Sequence, residues 1–350
     1  MAPNAAAPAP PAGSHAAPAE FPAFIAEQQP QGYQAGFRRL RDADLPPLPV
    51  LVAIEYSSLN YKDGLAVTGR GKIIRRSPMV LGIDLAGTVL ESSDARFHRG
   101  DRVLGIGQGL SETDWGGYSR RQRLRPELLM PLPEAFTPRQ AMGIGTAGFT
   151  AMLALMALEE AGLRPERGEP TREIAVTGAA GGVGSLAIAL LAARGYRVAA
   201  FTGRPQLEAY LHRLGAARIV PRAELAGTPP PLASERWAGA VDNVGGATLA
   251  NLLAATVAGG AVAACGLAGG ADLPLSVYPF ILRGVRLQGI SSTHCGPEKR
   301  QAAWQRLAGE MPAKTLDAVS RVEPLSRIVP LSQAILDGQI QGRVILDVNA

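Results

Sequence analysis

Cysteine, aromatic residues and surplus charge are all scarce in this 350-residue chain. The two cysteines, Cys265 and Cys295, stand in no C-x-x-C pair and no disulfide framework. That usage excludes a disulfide-stapled scaffold and points to a reducing, cytoplasmic setting. Aromatic residues make up 5%. There are four histidines. His15 lies in an Ala/Pro-rich head, His98 before a turn, His212 in a surface-type helix, and His294 beside Cys295 without further partners. Zinc needs several ligands converging on one point, so no metal is expected. The net charge of +5 comes from 35 basic and 30 acidic residues. Such a mixture carries no nucleic-acid footprint. No apolar run is read as reaching the ~18 residues of a transmembrane helix, so no membrane span is expected. Residues 1–20 lack the basic start and Leu-rich core of a secretory signal. They read as a disordered, low-complexity extension.

Glycine (41) and proline (28) are plentiful, which favours many turns over a helical bundle. Hydrophobic residues are 47%, and the length allows two domains. The organising stretch is IAVTGAAGGVGSLAIALLAARGYRVAAFTGR, Ile174 to Arg204. It reads as strand, glycine-rich turn, helix and strand, the plan of a dinucleotide-binding βαβ unit. Ala179-Ala180-Gly181-Gly182-Val183-Gly184 is a G-x-G-x-x-G variant with Ala in the first slot. Glycine there lets backbone approach a pyrophosphate, and the helix start aims free N–H groups at it. An ordinary tight strand-to-helix turn is the alternative.

The tip of the second strand is informative. An NAD site commonly places Asp or Glu there for the ribose 2′-hydroxyl. This chain has Thr202-Gly203-Arg204. A hydroxyl and a guanidinium suit a 2′-phosphate, so the expected cofactor is NADPH. Arg222, after the third strand, adds a second cation or is a solvated loop residue.

Before this unit, short glycine-punctuated strands predict a twisted β-domain up to about residue 140. Strands are expected in Phe24–Glu27, Gly36–Leu40, Val50–Tyr56, a broken pair over Val80–Val89, Val103–Ile106 and Trp115–Arg120. Tyr61–Val67 predicts one or two helical turns ended by Gly69. Thr137–Leu158 predicts a long bridging helix. After the unit come a helix over Pro205–Leu214 and strands at Arg218–Val220, Trp237–Asp242, Ala261–Leu267 and Val285–Ile290. Six strands with intervening helices predict an α/β, Rossmann-type doubly wound parallel sheet. Asn243 and Leu267 then fall at the carboxyl ends of the fourth and fifth strands, where such sheets bind ligands. A last helix and a strand over Arg343–Val348 rejoin the first domain.

SSLNYKDGLAVTGRGKIIRRSPMVLGIDLAGTV, GTAGFTAML, VTGAAGGVG, WAGAVDNVG, AACGLAGG, PFILRGVRLQG and QIQGR occur in this order. With them the chain resembles the zinc-free quinone-oxidoreductase-like branch of the medium-chain dehydrogenases/reductases, and within it the acrylyl-CoA reductase (NADPH), AcuI/YhdH-type, subfamily. The resemblance spans roughly Phe21 to Val348. The head and the short insert Glu169–Arg172 depart from it. It implies a GroES-like, mostly antiparallel domain over 21–142 completed by 315–350, and an NADPH-binding domain over 143–314. Gly82-Ile83-Asp84 stands where zinc-dependent members carry Gly-His-Glu.

The same resemblance implies reduction of the double bond of an α,β-unsaturated CoA thioester, acrylyl-CoA to propionyl-CoA, by hydride transfer to the β-carbon. Asn60, Tyr61 and Asp84 would lie beside the nicotinamide as catalytic residues. Tyr61 alternatively is a packed tyrosine, and Asp84 a loop-tying carboxylate. Cofactor contacts would come from Tyr61, Ala180, Gly181, Gly182, Val183, Thr202, Gly203, Arg204 and Arg222. Others would come from Asn243, Leu267, Ile281 and Ser292, with Gly338 and Arg343 near the nicotinamide. The basic loop supplies Arg70, Lys72, Arg75 and Arg76, either for CoA phosphates or as solvated charge. A homodimer through the Val285–Ile290 edge is also implied. Reduction of quinones or other activated alkenes, and non-catalytic NADPH binding, remain alternatives.

Overall fold

Alternating apolar runs and frequent glycines resolve into sheets that pack against one long helix. The computed structural model describes residues 20–165 and 172–350. The expected disordered head up to residue 19, and residues 169–171 of the insert, lie outside the described residues.

The first half is antiparallel. β1 (Phe21–Gln29) and β2 (Gly32–Leu40) form a hairpin, then β3 (Val50–Ser58) leads into α1 (Tyr61–Thr68). β4 (Met79–Val80), β5 (Asp84–Ser92), β6 (Arg102–Ile106), β7 (Arg121–Leu124) and β8 (Met130–Pro131) follow. Two expectations need correction. Val80–Val89 is not a strand pair broken at both glycines. The break is at Gly82, whose φ of +98° suits glycine, while Gly87 lies inside β5. Trp115–Arg120 is not a strand. Gly116 and Gly117 press against the backbone of Leu81–Asp84, and regular pairing starts only at Arg121.

α2 (Pro138–Glu160) joins the halves. Thr137 caps it by accepting from the Gln140 N–H at 3.2 Å, and Pro138 fills the first position. Contrary to expectation, it is long and apolar enough to cross a bilayer, with mean hydropathy 1.7 over its most apolar window. It is a core helix instead, because 89% of that window is buried within the fold.

The second half alternates strand and helix. β9 (Glu173–Val176), α3 (Gly182–Ala193), β10 (Val198–Thr202), α4 (Glu208–Arg213) and β11 (Ala216–Pro221) form one wing. β12 (Trp237–Asp242), α5 (Gly246–Ala254), β13 (Thr256–Ala264), α6 (Tyr278–Arg283) and β14 (Arg286–Gly289) form the other. All pair in parallel, in the order β11-β10-β9-β12-β13-β14. Strand order therefore reverses between β9 and β12, the doubly wound plan expected. The Pro205–Leu214 segment divides into a 3₁₀ turn and α4. β13 begins at Thr256, earlier than expected.

α7 (Pro297–Glu310), α8 (Ala313–Val319), β15 (Ser320–Pro324), α9 (Ile328–Leu336) and β16 (Arg343–Asp347) end the chain. β16 pairs antiparallel with β3, and β15 lies beside it, so the C-terminus extends the sheet of the first half. α8 and β15 carried no recognisable sequence signal. One core, centred on α2 and α3, contains residues of both halves, including Ala86, Leu104 and Ile345 with Ile174, Val176 and Val241.

Candidate active site

The glycine-rich turn lies at the strand-order reversal. Gly178 adopts φ +57°, and its carbonyl accepts from the Gly181 N–H at 2.9 Å. Gly184 packs so closely that a Cβ there would stand 2.7 Å from Ala179 Cα. Gly182 is tight, though less so, on its other side. A Cβ would meet Arg343 Cδ and Nη1 at 3.2 Å and Ala147 Cβ at 3.3 Å. α3 starts here, so the N–H groups of its first turn lack intrahelical partners. A backbone cradle closed to side chains, at a helix start, fits a pyrophosphate.

Neighbouring strand ends are tied together. Thr177 Oγ1 donates to Asp242 Oδ1 at 2.6 Å and accepts from the Asn243 N–H at 2.9 Å. Asn243 Nδ2 donates to the Thr177 carbonyl at 2.7 Å. Cys265 Sγ donates to Asn243 Oδ1 at 3.2 Å, and burial pushes its thiol up to about 12, so it stays un-ionised.

At the β10 tip, Arg204 and Arg222 behave differently. Arg204 turns inward. Nη1 donates to the Gln339 carbonyl at 3.2 Å, and Nη2 to those of Ile340 and Ala180 at 3.1 and 3.3 Å. Burial lowers its pKa from the ordinary arginine value. Arg222 is exposed and lies against Gly203, where a Cβ would stand 2.6 Å from its Nε. Thr202 Oγ1 accepts from the Arg204 N–H at 3.0 Å. The Ala180 carbonyl also accepts from the Gly342 N–H at 3.0 Å, binding the turn to the chain leading into β16.

On the facing side, a buried polar cluster forms around Asp84, which is fully buried. Asp84 Oδ2 accepts from Ser58 Oγ at 2.6 Å, Asn60 Nδ2 at 2.8 Å and the Thr146 N–H at 2.9 Å. Oδ1 accepts from Thr146 Oγ1 at 2.6 Å. These bonds explain the break in α2. Gly145 has φ +49° and ψ −159°, which frees the Thr146 N–H for Asp84. The carbonyls left on the other side, Gly143 and Met142, accept from Arg343 at 3.1 and 3.4 Å. A Cβ on Gly145 would stand 2.5 Å from Arg343 Nη2 and 2.7 Å from Asp84 Oδ2.

Asn60 is saturated by this cluster. Its Oδ1 accepts from Arg343 Nη1 at 3.1 Å, and its Nδ2 also faces Asp63 Oδ2 at 3.1 Å. Asp63 caps the start of α1 by accepting from the Asn60 N–H at 2.9 Å, and accepts from the Ile83 N–H at 3.0 Å. Burial and the nearby Asp84 push its carboxyl up to about 7, against the pull of those N–H donors. Burial lowers the Arg343 pKa, countered by Asp84, Asp63 and Tyr118.

Tyr61, the next residue along, is the one of the three expected catalytic residues that is exposed, at 43%. Its hydroxyl has no hydrogen bond among the described residues. The packed-tyrosine alternative is therefore not what the fold adopts. Asp84 and Asn60 sit behind it.

The remaining expected residues are dispersed. Leu267 follows β13 and is 63% exposed, while Ile281 is exposed on α6. Ser292 is half-buried and its carbonyl accepts from Arg300. Gly338, at φ +67°, turns the chain after α9. The basic loop does not converge. Arg70 Nη2 donates to Gln333 Oε1 at 3.0 Å, Arg75 Nε lies 3.8 Å from Glu112 Oε2, the charge of Arg76 acts on Asp114, and Lys72 is exposed. Glu112 also pairs with Lys62. Ser58, Asp63, Thr146 and Arg300 escaped the sequence reading. Asp63, three residues after Asn60, had a detectable capping pattern; the others had none. No group of three or more His, Cys, Asp or Glu positioned for a metal occurs among the described residues.

Comparison with known proteins agrees with this architecture. Residues 46–134 match the alcohol dehydrogenase GroES-like domain, and residues 182–309 match the zinc-binding dehydrogenase family. The chain is 52% identical to "Acrylyl-CoA reductase AcuI" of Ruegeria pomeroyi, covering 91% of this chain and 95% of the relative. It is 50% identical to "Probable acrylyl-CoA reductase AcuI" of Escherichia coli, covering 93% and 99%. "Putative quinone oxidoreductase YhfP" of Bacillus subtilis is 43% identical, covering 93% and 98%. The solved structure of E. coli YhdH with bound NADPH superposes with a TM-score of 0.89 at 50% identity, covering 93% and 100%. With both of its halves matched and half of its residues shared with full-length relatives, the chain belongs to the medium-chain dehydrogenase/reductase superfamily.

Proposed function

We propose that the protein reduces the carbon–carbon double bond of acrylyl-CoA with NADPH, giving propionyl-CoA. The observation that carries this reading is the 52% and 50% identity, over nine-tenths of the chain, to the two acrylyl-CoA reductase relatives. The glycine-rich turn at the start of α3, where Gly184 has no room for a Cβ and the first-turn N–H groups lack intrahelical partners, supports the cofactor. NADPH would supply the hydride that adds to the β-carbon.

The chain's own groups would then divide as follows. Residues 143–314 form the cofactor domain, and residues 21–142 with 315–350 the catalytic one. Ala180 to Val183 hold the pyrophosphate. Thr202, Gly203, Arg204 and Arg222 read the 2′-phosphate. Asn243, Leu267, Ile281, Ser292, Gly338 and Arg343 complete the cofactor's surroundings. Reduction leaves negative charge on the thioester oxygen, and a fixed hydrogen-bond donor there lowers the barrier. Tyr61 is that donor in our reading, because its hydroxyl is free while Asn60 and Asp84 spend their polar atoms on one another and on Arg343. Asn60 and Asp84 act by holding the base of α1.

A second reading, quinone reduction, is favoured by the 43% identity to YhfP. Steady-state rates with acrylyl-CoA, crotonyl-CoA and a benzoquinone, each with NADPH and NADH, separate the two. Acrylyl-CoA with NADPH should give the highest kcat/KM. A strong preference for the quinone overturns the first reading.

We also propose a cytoplasmic homodimer. β14 is a sheet edge with exposed side chains, and Leu267, Val277, Tyr278, Ile281, Leu282 and Leu287 are exposed in the same part of the chain. An unpaired edge flanked by exposed apolar side chains is suited to pairing across a two-fold axis. Light scattering should give twice the chain mass for the wild type and one chain mass for Leu287→Asp; a monomeric wild type refutes it.

A further inference from the structure

Arg300 is a buried cation with no carboxylate in hydrogen-bond contact among the described residues. It stands in the first turn of α7 and is 6% exposed. Nη1 donates to the Ile106 carbonyl at 3.0 Å and Nη2 to the Ser292 carbonyl at 2.8 Å. The guanidinium carbon lies 4.6 Å from the centre of the Phe149 ring. Nε is buried and unpartnered.

These contacts join the two halves of the molecule at one corner. Ile106 ends β6 and pairs directly with Asp84 of β5. Phe149 follows Thr146, the residue bound to Asp84, by one turn of α2. Ser292 belongs to the loop after β14, at the carboxyl end of the parallel sheet, where ligands bind in such folds. The same loop meets the chain after β6, since a Cβ on Gly107 would stand 4.0 Å from Thr293 Oγ1. Burying a guanidinium on neutral carbonyls is costly, and an apolar side chain would fill this space more cheaply. The planar fork reaches two carbonyls on different halves at once, which an ammonium cannot do in the same way.

We propose that Arg300 is a positioning residue for the reaction, clamping the Ser291–Gly296 loop onto the end of β6 and so setting the cleft wall beside the Asp84 corner. The role in turnover rests on the reductase reading; the clamp itself does not. The test uses Arg300→Lys and Arg300→Met in a Cys265→Ser background, leaving Cys295 as the thiol probe within the loop. Loosening the loop should speed labelling of Cys295 by a disulfide reagent about fivefold per thiolate, with rates taken across pH because the Arg300 charge also favours the Cys295 thiolate. The value of kcat/KM for acrylyl-CoA should fall about tenfold, and Lys should fail to restore it. The affinity for 2′,5′-ADP, which probes the distant β10 tip, should stay within about twofold.

Unchanged labelling overturns the clamp. Faster labelling with normal turnover overturns the positioning role. Faster labelling with a parallel loss of 2′,5′-ADP affinity marks general loosening and overturns it too. If Arg300→Met does not fold, Arg300→Lys, which keeps the charge, carries the same comparisons. If the wild type does not reduce acrylyl-CoA while labelling still accelerates, the substrate reading fails and the clamp stands.

Discussion

Asp84 Oδ2 and Arg343 Nη2 stand 4.0 Å apart across the break in α2, and each satisfies one side of it. Asp84 takes the N–H group that the break exposes at Thr146, and Arg343 takes the carbonyls of Gly143 and Met142. The carboxylate thus meets the positive start of one helical segment, and the guanidinium meets the negative end of the other. Arg343 also rests against Gly182 and orients Asn60, so this pair couples the cofactor turn to the start of α1.

Removing one member should leave the other charge buried and unpaired. Asp84→Asn and Arg343→Met should each lower unfolding free energy by about 3–5 kcal/mol. The double variant should lose less than the sum, as partners in one network do. Urea unfolding of the four proteins measures the coupling; strict additivity contradicts it.

Gly145 is required twice, for its positive φ and for the absence of a Cβ between Arg343 and Asp84. Gly145→Ala should cost about 3 kcal/mol or more, combining backbone strain with displaced buried charges. A thermal melt within a degree of wild type would remove the close approach as a constraint.

Cofactor choice should rest on the β10 tip. Arg222→Ala should cut the NADPH-over-NADH ratio of kcat/KM about tenfold or more, the loss of a charge-assisted bond. Arg204→Ala should cut it as well, through loss of a cation beside the same turn. If Arg204→Ala leaves the ratio intact, Arg204 serves only the Ala180, Gln339 and Ile340 carbonyls, and Arg222 alone reads the phosphate.

Asp63 should make stability fall as pH rises. Its carboxyl is pushed up to about 7 in the fold, from about 3.9 when unfolded. Between those values the folded state binds the proton and the unfolded state does not. The contribution is therefore complete below about pH 4 and lost as pH rises through about 7. Wild-type Tm should carry a decline between about pH 4 and 7 that Asp63→Asn lacks. Parallel Tm curves for the two proteins would refute the shift.

The basic loop should matter only to the CoA end of a substrate. Arg75→Ala with Arg76→Ala should raise KM for acrylyl-CoA about fivefold and leave a benzoquinone unaffected, since lost phosphate contacts act on phosphate-bearing ligands. Glu112 already neutralises part of this charge through Lys62 and Arg75, which limits the effect. Equal changes for both substrates would sink the assignment.

Much of the fold was legible because its signals are local. Ile174 to Arg204 carries strand, turn, helix and strand in one continuous stretch, and the later strands repeat the alternation. Trp115–Arg120 misled because Gly116 and Gly117 are there for close approach to Leu81–Asp84, a non-local reason. α2 reads alike as a core helix or a bilayer span by composition, and only its neighbours distinguish the two. Asp84 was expected beside the nicotinamide from the resemblance, but its burial in a hydrogen-bonded cluster was not legible. Its donors come from two segments far apart in the chain, Ser58 and Asn60 from one and Thr146 from the other.

By itself the sequence determined the glycine-rich turn, the parallel sheet and the cation at its second strand tip, since each depends on residues within a few positions. Tertiary structure alone decided which charges are buried together. Asp84 is more than two hundred residues from Arg300 and Arg343, and burial is a property of what packs around a group. Their common corner exists because β16 returns to β3, α2 breaks at Gly145, and α7 reaches the end of β6.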